Sequence, residues 1–310
     1  MNIQNILVTG RIFKEIEKMM ESNTLNKSFK FIAQERVTQE DLDWADAYVS
    51  FAPIKDLDDR NIKWVHSLGA GVDSFLLNRE WNAGVLLTRT VCSFGEKISE
   101  YCLSYILRDI QLHDVFEKDQ LEKVWAPKTP KLLKDQKVLV FGTGEIGLEI
   151  AKKFNLLGIQ VFGVSMTGTQ KEPFQQVYKT EEIHQVTFDA NYVINTLPLT
   201  DQTYHLFNQS LFQRFNQVTF INCGRGGSVD DGALIEALNQ GHVRQAVLDV
   251  FSVEPLPEDH AFWCRKDIKI TPHISAITSP EDAVACFLET MENIENNSPL
   301  SNKVDTSKGY

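Results

Sequence analysis

The chain has 310 residues, of which 43% are hydrophobic and 24% charged, and this composition is typical of a globular protein of two domains. Its 42 acidic and 31 basic residues give a formal net charge of −11, which disfavours binding to nucleic acid and to anionic membranes. No apolar segment approaches the roughly 20 residues of a membrane span, and the N-terminus lacks the features of a signal peptide. We therefore expect a cytoplasmic protein whose partners are small molecules.

The cysteines are scattered along the chain, at Cys92, Cys102, Cys223, Cys264 and Cys286. An odd number without a C-x-x-C spacing indicates neither a disulfide framework nor a zinc site. We expect reduced thiols and no bound metal.

The first third of the chain alternates between strand-like and helix-like segments. A helix is predicted at 12–20, and strands are predicted at 3–8, 29–33, 47–51, 64–68 and 85–88. This alternation predicts a complete small α/β unit.

A glycine turn, GAGVD at 69–73, directly follows the predicted strand WVHSL. The carboxyl ends of strands are where open α/β sheets bind ligands, and backbone N–H groups in such a turn can bind a carboxylate. A plain connecting turn is the alternative, and the pattern alone does not choose between them.

A long helix is predicted to begin at Ser93, because Ser93 and Glu96 have the spacing of a capping box. The pattern runs toward Arg108 and is expected to join two units. A second helical pattern covers about 115–125, and the proline- and lysine-rich segment APKTPKLLKD after it is typical of a linker.

The stretch KVLVFGTGEIGLEIAKKFNLL, at 137–157, has a short apolar run followed by Gly142, Gly144 and Gly147 at the G-x-G-x-x-G spacing. An amphipathic helical pattern begins directly after them, so the glycines lie where a strand turns into a helix. Gly142 would allow the tight turn, Gly144 the approach of a pyrophosphate, and Gly147 close packing of the helix on the strand. The stretch therefore predicts a dinucleotide site, and an ordinary strand-to-helix turn is the alternative.

Further strands are predicted beyond the glycine loop, at 160–164, 192–195, 219–222, 245–250 and 268–271. With the strand before the loop they make six parallel strands, enough for a doubly wound domain of about 180 residues. A final helix is predicted at about 279–296.

Three side chains capable of chemistry follow late strands: Arg225 after TFINC, Glu254 after QAVLDV and His273 after IKIT. An arginine binds a carboxylate with two parallel hydrogen bonds, and a histidine carries a proton near neutral pH. A carboxylate bonded to the other ring nitrogen fixes the tautomer and favours the imidazolium. Taken singly, each has a plainer interpretation: a surface arginine, a helix-capping glutamate or a core histidine.

Together these motifs resemble one family over nearly the whole chain. The matching segments are GAGVD at 69–73, GTGEIG at 142–147, TLPLTDQT at 196–203, NCGRGGSVDDGAL at 222–234, LDVFSVEP at 248–255 and TPHISA at 271–276. The chain resembles the D-isomer-specific 2-hydroxyacid dehydrogenases, and within them the glyoxylate/hydroxypyruvate reductase A type. FGEKISEY, PHISAIT and the terminal VDTSKGY carry the closer likeness.

The resemblance implies an α/β fold of two similar doubly wound domains, with a Rossmann dinucleotide-binding domain inserted into a flavodoxin-like substrate domain. The expected bounds are 1–95 plus 280–310 for the substrate domain and 96–279 for the dinucleotide-binding domain. The C-terminal helix is expected to return to the first domain.

The resemblance also implies a reductase. A dinucleotide would deliver hydride to a 2-keto acid, His273 with Glu254 would give the proton, and Arg225 would bind the carboxylate and polarise the carbonyl. Substrate-binding residues are expected at Ala70, Gly71 and Phe51, where the bulky ring of Phe51 would favour small substrates. Cofactor-binding residues are expected at Gly142, Gly144, Glu145, Ile146, Gly147, Ser165, Pro198, Thr203, Cys223, Gly224, Asp249 and Ser275. Asp249 would accept a hydrogen bond from the nicotinamide carboxamide.

NADPH is the expected cofactor, with NADH possible, because the strand QVFGV ends in Ser165 where an NAD enzyme has an acidic residue. The hydroxyls of Ser165, Thr167 and Thr169 can donate to a 2′-phosphate. Lys171 is a candidate cation for that phosphate, and a solvated loop lysine is its alternative interpretation.

Two further expectations come from the family. Some proteins of this fold are dinucleotide-sensing corepressors or scaffolds, and that class is the alternative function. Family members are usually dimeric, so a homodimer is expected, with the helical region 93–125 and Trp125 as its interface.

Overall fold

The computed structural model describes residues 1–21, 25–54, 61–77, 79–185 and 189–309. The chain divides into two compact units: unit 1 is Met1–Cys92 with Thr278–Tyr310, and unit 2 is Ser93–Ile277. The terminal tyrosine of the VDTSKGY motif lies outside the described residues. The division falls a few residues before the bounds expected from the sequence, and the assignment of a substrate role to unit 1 stays a prediction.

The strands of the described residues, in chain order, are β1 (Asn5–Val8), β2 (Ser28–Phe31), β3 (Ala47–Ser50), β4 (Trp64–Ser67), β5 (Leu86–Arg89), β6 (Lys137–Phe141), β7 (Gln160–Ser165), β8 (Val177–Lys179), β9 (Tyr192–Asn195), β10 (Val218–Asn222), β11 (Val243–Leu248) and β12 (Ile268–Ile270). The helices are α1 (Phe13–Met20), α2 (Gln39–Trp44), α3 (Asp73–Leu76), α4 (Phe94–Ile110), α5 (His113–Leu121), α6 (Glu145–Leu156), α7 (Gln209–Phe212), α8 (Asp231–Gln240) and α9 (Pro280–Glu295). No helix of the described residues is both long and apolar enough to cross a membrane.

Unit 1 is built on a parallel five-stranded sheet with the order β2-β1-β3-β4-β5. β3 and β4 are buried at every position, as expected for strands that have helices on both faces. On one face α9 packs on the sheet, where the Phe287 ring stacks on Trp64 with 5.3 Å between centroids. Ser279 caps α9 by accepting a hydrogen bond from Asp282 N–H at 3.0 Å. The C-terminal helix thus belongs to unit 1.

Unit 2 is built on a parallel seven-stranded sheet with the order β12-β11-β10-β9-β6-β7-β8. The strand order reverses between β6 and β9, which makes the carboxyl ends of these two strands the topological switch point. The sequence predicted six strands, and the seventh is the edge strand β8, which is too short at three residues to show a periodicity. The predicted α/β class with two doubly wound units is confirmed.

The expected capping box at the start of α4 is wrong. The Ser93 side chain makes no capping hydrogen bond, and the Glu96 carboxylate instead lies 3.1 Å from the ammonium of Lys153. A capping box does occur at α2, where Thr38 and Asp41 cap each other's backbone N–H groups. The ion pair available to Glu96 from α6 is a tertiary contact, which the local spacing of Ser93 and Glu96 does not reveal.

A half-buried ion pair joins α4 to the sheet of unit 2. The Arg244 guanidinium binds the Asp109 carboxylate through two nitrogens, one of them at 2.9 Å, and the Tyr192 hydroxyl donates to the same carboxylate. Burial by itself raises the pKa of Asp109, but the hydrogen bonds from Arg244 and Tyr192 lower it below the ordinary value of 3.8. The pair therefore stabilises the fold fully above that pH, and its contribution is lost as the pH falls through the lowered pKa.

Replacing Asp109 with Ala should lower the free energy of unfolding by about 2 kcal/mol, because the Arg244 guanidinium loses its main partner and the Tyr192 hydroxyl loses its acceptor. The loss should be smaller than for a fully buried pair, since the side chains of Asp109 and Arg244 are 24% and 32% exposed. Urea unfolding at neutral pH measures the change. Glu122→Ala, which removes the exposed partner of Lys118, is the matched control and should change stability by less than about 0.5 kcal/mol. Equal effects of the two substitutions would contradict the role given to Asp109.

Candidate active site

The glycine loop joins β6 to α6. Gly142 has φ +102°, a conformation that side chains rarely adopt, and a Cβ on Gly147 would lie 1.8 Å from the carbonyl oxygen of Gly142. Both positions therefore require glycine for the turn and for the close packing of helix on strand. Gly144 is different, because a Cβ there would meet no atom within 4 Å. Gly144 caps α6, whose first residues are Glu145 and Ile146, so the space beside it is open at a helix N-terminus.

The last residue of β7 and the loop after it carry the three hydroxyls expected near the cofactor. Ser165 Oγ accepts a hydrogen bond from Gly168 N–H at 3.1 Å, so its own proton remains available to a ligand. Thr167 Oγ1 accepts from both the N–H and the hydroxyl of Thr169, so its proton is available as well, whereas that of Thr169 is engaged. The Lys171 ammonium donates to the carbonyl of Thr143 in the glycine loop at 3.0 Å. Lys171 is therefore held beside that loop rather than extended into solvent.

The turn TLPLTDQT follows β9 and is closed by Thr203. The Thr203 hydroxyl donates to the Pro198 carbonyl at 2.6 Å and accepts from Thr200 N–H at 2.8 Å. Pro198 and Thr203, both expected at the cofactor, are thus parts of one ordered turn.

Two buried asparagines end β9 and β10 and hold the loop that carries Arg225. Asn195 donates to Asn222 Oδ1 at 2.9 Å and to Ser228 Oγ at 2.8 Å. Asn222 and Ser228 both donate to the Arg225 carbonyl, at 3.2 and 2.6 Å. Neither asparagine was predicted from the sequence, although a polar residue at the end of each apolar strand, YVIN and TFIN, was the available signal.

Crowding around the glycines that flank Arg225 fixes its backbone further. A Cβ on Gly224 would lie 2.7 Å from the Leu197 carbonyl oxygen, and one on Gly226 would lie 1.8 Å from the Phe251 carbonyl carbon. The Arg225 guanidinium donates to the Gly224 carbonyl at 2.8 Å and is half-buried. Cys223, expected at the cofactor, is buried with its sulfur 3.9 Å from that of Cys102, and burial raises the pKa of its thiol.

His273 and Glu254 form a hydrogen-bonded ion pair. His273 Nδ1 lies 2.7 Å from Glu254 Oε2, while Glu254 Oε1 accepts from Phe251 N–H at 2.9 Å. Burial by itself raises the pKa of Glu254, but the hydrogen bonds from His273 and Phe251 and the charge of Arg225 lower it below its ordinary value. Glu254 is therefore ionised at neutral pH and directs Nδ1–H of His273 toward itself, which leaves Nε2 for a reacting group.

The loop of His273 is anchored by the carboxylate of Asp249, which is 0% exposed. Asp249 Oδ1 accepts from the Thr271 hydroxyl at 2.6 Å and from Ile274 N–H at 2.8 Å, and Oδ2 accepts from Ser275 N–H at 2.8 Å. These bonds hold His273 at φ +54°, a strained conformation for a residue with a side chain. The contact expected between Asp249 and the nicotinamide carboxamide stays a prediction. The carboxamide would have to reach a carboxylate that is buried and already bonded to the loop.

The predicted substrate residues lie together in unit 1. Ala70 and Gly71 have backbone N–H groups that donate to no other described residue, and the Phe51 ring lies 3.6 Å from where a Cβ of Gly69 would be. The guanidinium of Arg11 lies over the Phe51 ring, 4.4 Å from its centroid. This contact of Arg11 was not predicted from the sequence, because a cation–π contact between two separate loops leaves no local pattern.

The model of the D-isomer specific 2-hydroxyacid dehydrogenase NAD-binding domain matches residues 103–275, more than half of the chain. The chain belongs to this family. It is similar to the glyoxylate/hydroxypyruvate reductase A of Yersinia enterocolitica, with 33% identity over 80% of this chain and 82% of the relative. The family resemblance predicted from the motifs is confirmed.

Two solved structures extend the comparison to the whole fold of this 2-hydroxyacid dehydrogenase. One is the NADPH-dependent glyoxylate/hydroxypyruvate reductase of Sinorhizobium meliloti in complex with NADP and sulfate, with a TM-score of 0.85, 26% identity, and coverage of 99% of this chain and 100% of that one. The other is a D-isomer specific 2-hydroxyacid dehydrogenase of Xanthobacter autotrophicus in complex with NADPH and MES, with a TM-score of 0.86, 26% identity and full coverage of both chains. The protein is thus an NAD(P)-dependent oxidoreductase of 2-hydroxy and 2-keto acids.

The glycine loop gives a matched pair of variants. Gly147→Ala should lower the melting temperature, because the new Cβ cannot fit against the Gly142 carbonyl. Gly144→Ala should leave the melting temperature unchanged but weaken NADPH and NADH binding by about tenfold or more, since its methyl would occupy the open space expected for the pyrophosphate. Thermal unfolding and fluorescence titration measure the two effects. An unchanged dissociation constant for Gly144→Ala would place the pyrophosphate elsewhere.

Proposed function

We propose that this dehydrogenase is an NADPH-preferring reductase of small 2-keto acids such as glyoxylate and hydroxypyruvate, and that it forms the D-2-hydroxy acid. The observation that carries the proposal is the grouping of Arg225 with the His273–Glu254 pair, 2.7 Å between Nδ1 and Oε2, on loops at the carboxyl edge of one sheet. These are the groups that the reduction of a carbonyl beside a carboxylate requires.

His273 supplies the proton. In the imidazolium form its Nδ1–H is held by Glu254, so Nε2–H is the donor left for the carbonyl oxygen of the substrate. Glu254 is ionised, and its other carboxylate oxygen accepts from Phe251 N–H. This second hydrogen bond fixes the carboxylate beside the imidazolium, which it stabilises. The proton moves to the oxygen as negative charge develops there.

Arg225 binds the substrate carboxylate and polarises the carbonyl. Its backbone is fixed by Asn222, Ser228 and the crowded glycines on either side, so the positive charge is oriented before the substrate arrives. The bound dinucleotide supplies the hydride, and this chemistry belongs to the cofactor.

We also propose that the loop at 69–71 in unit 1 binds the substrate carboxylate. The N–H groups of Ala70 and Gly71 donate to no other described residue, as a carboxylate-binding loop requires. The Phe51 ring beside Gly69 would limit the length of the substrate. Efficient reduction of long-chain 2-keto acids by the unmodified protein would remove Phe51 from this role.

The preference for NADPH is supported by the loop after β7. The segment 165–171, at the end of β7 and the start of this loop, has no acidic residue to bind a 2′-hydroxyl or to repel a phosphate, and the hydroxyl protons of Ser165 and Thr167 are available. Lys171 adds a positive charge, because its ammonium is held at the glycine loop by the Thr143 carbonyl. The open space at Gly144 fits the pyrophosphate of either dinucleotide.

We propose a homodimer whose interface includes the exposed apolar residues of α5 and of the segment after it. Leu121 is 85% exposed and Trp125 is 96% exposed, with Phe116 and Val124 also at the surface. A cluster of this kind is typical of a protein interface. A single-protomer mass in sedimentation equilibrium would contradict it.

The direct test of the proposed function is oxidation of NADPH, followed by absorbance, with glyoxylate, hydroxypyruvate and pyruvate. We expect turnover with the first two and a D-configured product from hydroxypyruvate. Absence of turnover with every short 2-keto acid would refute the proposal.

His273→Gln keeps a hydrogen-bonding side chain of similar size but cannot supply a proton, so kcat should fall by about 100-fold or more with the NADPH dissociation constant nearly unchanged. His260→Gln, which alters a histidine paired with Asp231, is the matched control and should leave kcat unchanged. In Glu254→Gln the imidazolium loses its charged hydrogen-bond partner, so kcat should fall in this variant as well. Near-normal turnover of His273→Gln across the pH range would identify another proton donor.

Ser165→Asp should reverse the cofactor preference, because the carboxylate accepts from the ribose hydroxyls of NADH and repels the 2′-phosphate of NADPH. The ratio of kcat/KM for the two cofactors with one keto acid measures the change, and the two dissociation constants give a readout independent of turnover. Thr169→Asp is the comparison in the same loop, since the Thr169 hydroxyl already donates its proton to Thr167 Oγ1 and cannot donate it to a phosphate. An unmodified protein that prefers NADH would overturn the NADPH proposal.

A further inference from the structure

His66 is a histidine of unit 1 that takes no part in the mechanism described above. It lies in β4, is 0% exposed, and both of its ring nitrogens are hydrogen-bonded. Nδ1 lies 2.8 Å from Thr88 Oγ1, and Nε2 lies 3.3 Å from Thr90 Oγ1. The ring is also enclosed by aromatic edges, with the centroids of Trp64 and Phe287 at 5.7 and 5.9 Å. It is thus fixed on all sides.

The partners of His66 determine its tautomer. The indole Nε1–H of Trp64 can only donate, and it donates to Thr88 Oγ1 at 2.8 Å. The Thr90 hydroxyl has one proton and donates it to the Ser67 carbonyl, so it accepts from His66 Nε2–H, and Nδ1 accepts from the Thr88 hydroxyl. Burial keeps the ring neutral, since it lowers the pKa of His66 to about 3. Nε2–H therefore donates to Thr90 Oγ1, and the Thr90 hydroxyl donates to the Ser67 carbonyl at 3.0 Å.

This one-directional chain of hydrogen bonds ends at the predicted substrate loop. The Ser67 carbonyl also accepts from Thr90 N–H, at 2.8 Å. The Ser67 hydroxyl lies 3.0 Å from the Gly71 carbonyl and 3.2 Å from that of Gly69, and it accepts from Gly69 N–H at 3.3 Å. Ser67 thus connects the buried chain to the loop whose Ala70 and Gly71 N–H groups have no partner among the described residues.

We propose that His66 is a positioning residue for the substrate, which holds Ser67 through Thr90 and so directs the N–H groups of Ala70 and Gly71 toward the carboxylate. The inference rests on the proposed function of that loop. An apolar residue at position 66 would leave the Thr88 proton and the Thr90 oxygen without partners in a buried site. Histidine meets both needs because its neutral ring accepts at one nitrogen and donates at the other.

Thr90→Val tests the chain while keeping the size of the side chain. We expect KM for glyoxylate and the dissociation constant of oxamate, an unreactive carboxylate analogue, to rise about tenfold, the effect of one lost hydrogen bond. Because the change concerns carboxylate binding alone, kcat and the NADPH dissociation constant should stay within about twofold. Thr90→Ser restores the hydroxyl and should restore both constants.

Thr9→Val is the matched control, since the Thr9 hydroxyl is buried at the end of β1 in the same sheet and has no hydrogen-bond partner among the described residues. It should leave KM and oxamate binding unchanged. If Thr9→Val and Thr90→Val raise the constants equally, or if Thr90→Val is folded and raises neither, His66 does not position the loop.

The tautomer is measured separately by ¹⁵N NMR of the imidazole nitrogens in the unmodified protein. We expect Nε2 protonated and Nδ1 unprotonated, with no titration between about pH 5 and pH 8. The opposite tautomer would overturn the inference.

If the protein binds oxamate but reduces no 2-keto acid, only the proposed function fails. The oxamate dissociation constants of the same variants then still decide the role of His66.

Discussion

The candidate active site depends on one buried carboxylate. Asp249 directly follows β11 and accepts three hydrogen bonds from the loop of His273, at 2.6 to 2.8 Å. Without an acceptor there, the N–H of Ile274 would lose its partner, and the N–H of Ser275 would lie buried and unsatisfied at a cost of about 1–3 kcal/mol. The anchor extends to α4, where the Tyr101 hydroxyl lies 2.7 Å from Thr271 Oγ1. Since Thr271 donates to Asp249, Tyr101 is the donor in this contact.

The same physical solution recurs at other strand ends. Apolar strands place their carboxyl ends at one edge of each sheet, and the last polar residue then determines the shape of the loop that follows. Asn222 does this for the loop of Arg225 through a hydrogen bond to the Arg225 carbonyl, and Ser67 does it for the loop at 69–71. Buried polar networks of this kind are stabilising only when every member is satisfied, which is why they hold one geometry.

The sequence predicted the fold class and the position of Arg225, Glu254 and His273 after three strands of one sheet, because strand ends and glycine turns are local signals. It failed where a contact depends on another element. Ser93 appeared to cap α4 with Glu96, but Glu96 pairs with Lys153 of α6. The hydrogen bonds of Asp249 join segments 22 or more residues apart, and no spacing pattern reveals which atoms a buried carboxylate accepts from. The motif position suggested a cofactor contact instead.

The most direct test of this central role is the comparison of kcat for glyoxylate with the NADPH dissociation constant in Asp249→Asn. Asparagine keeps the size but replaces one acceptor oxygen with an amino group, which would face a backbone N–H or hydroxyl of the His273 loop. If Asp249 anchors that loop, kcat should fall by about 100-fold or more while the dissociation constant changes by less than about threefold. A dissociation constant that rises as far as kcat falls would contradict the anchor and make Asp249 a residue that holds the cofactor.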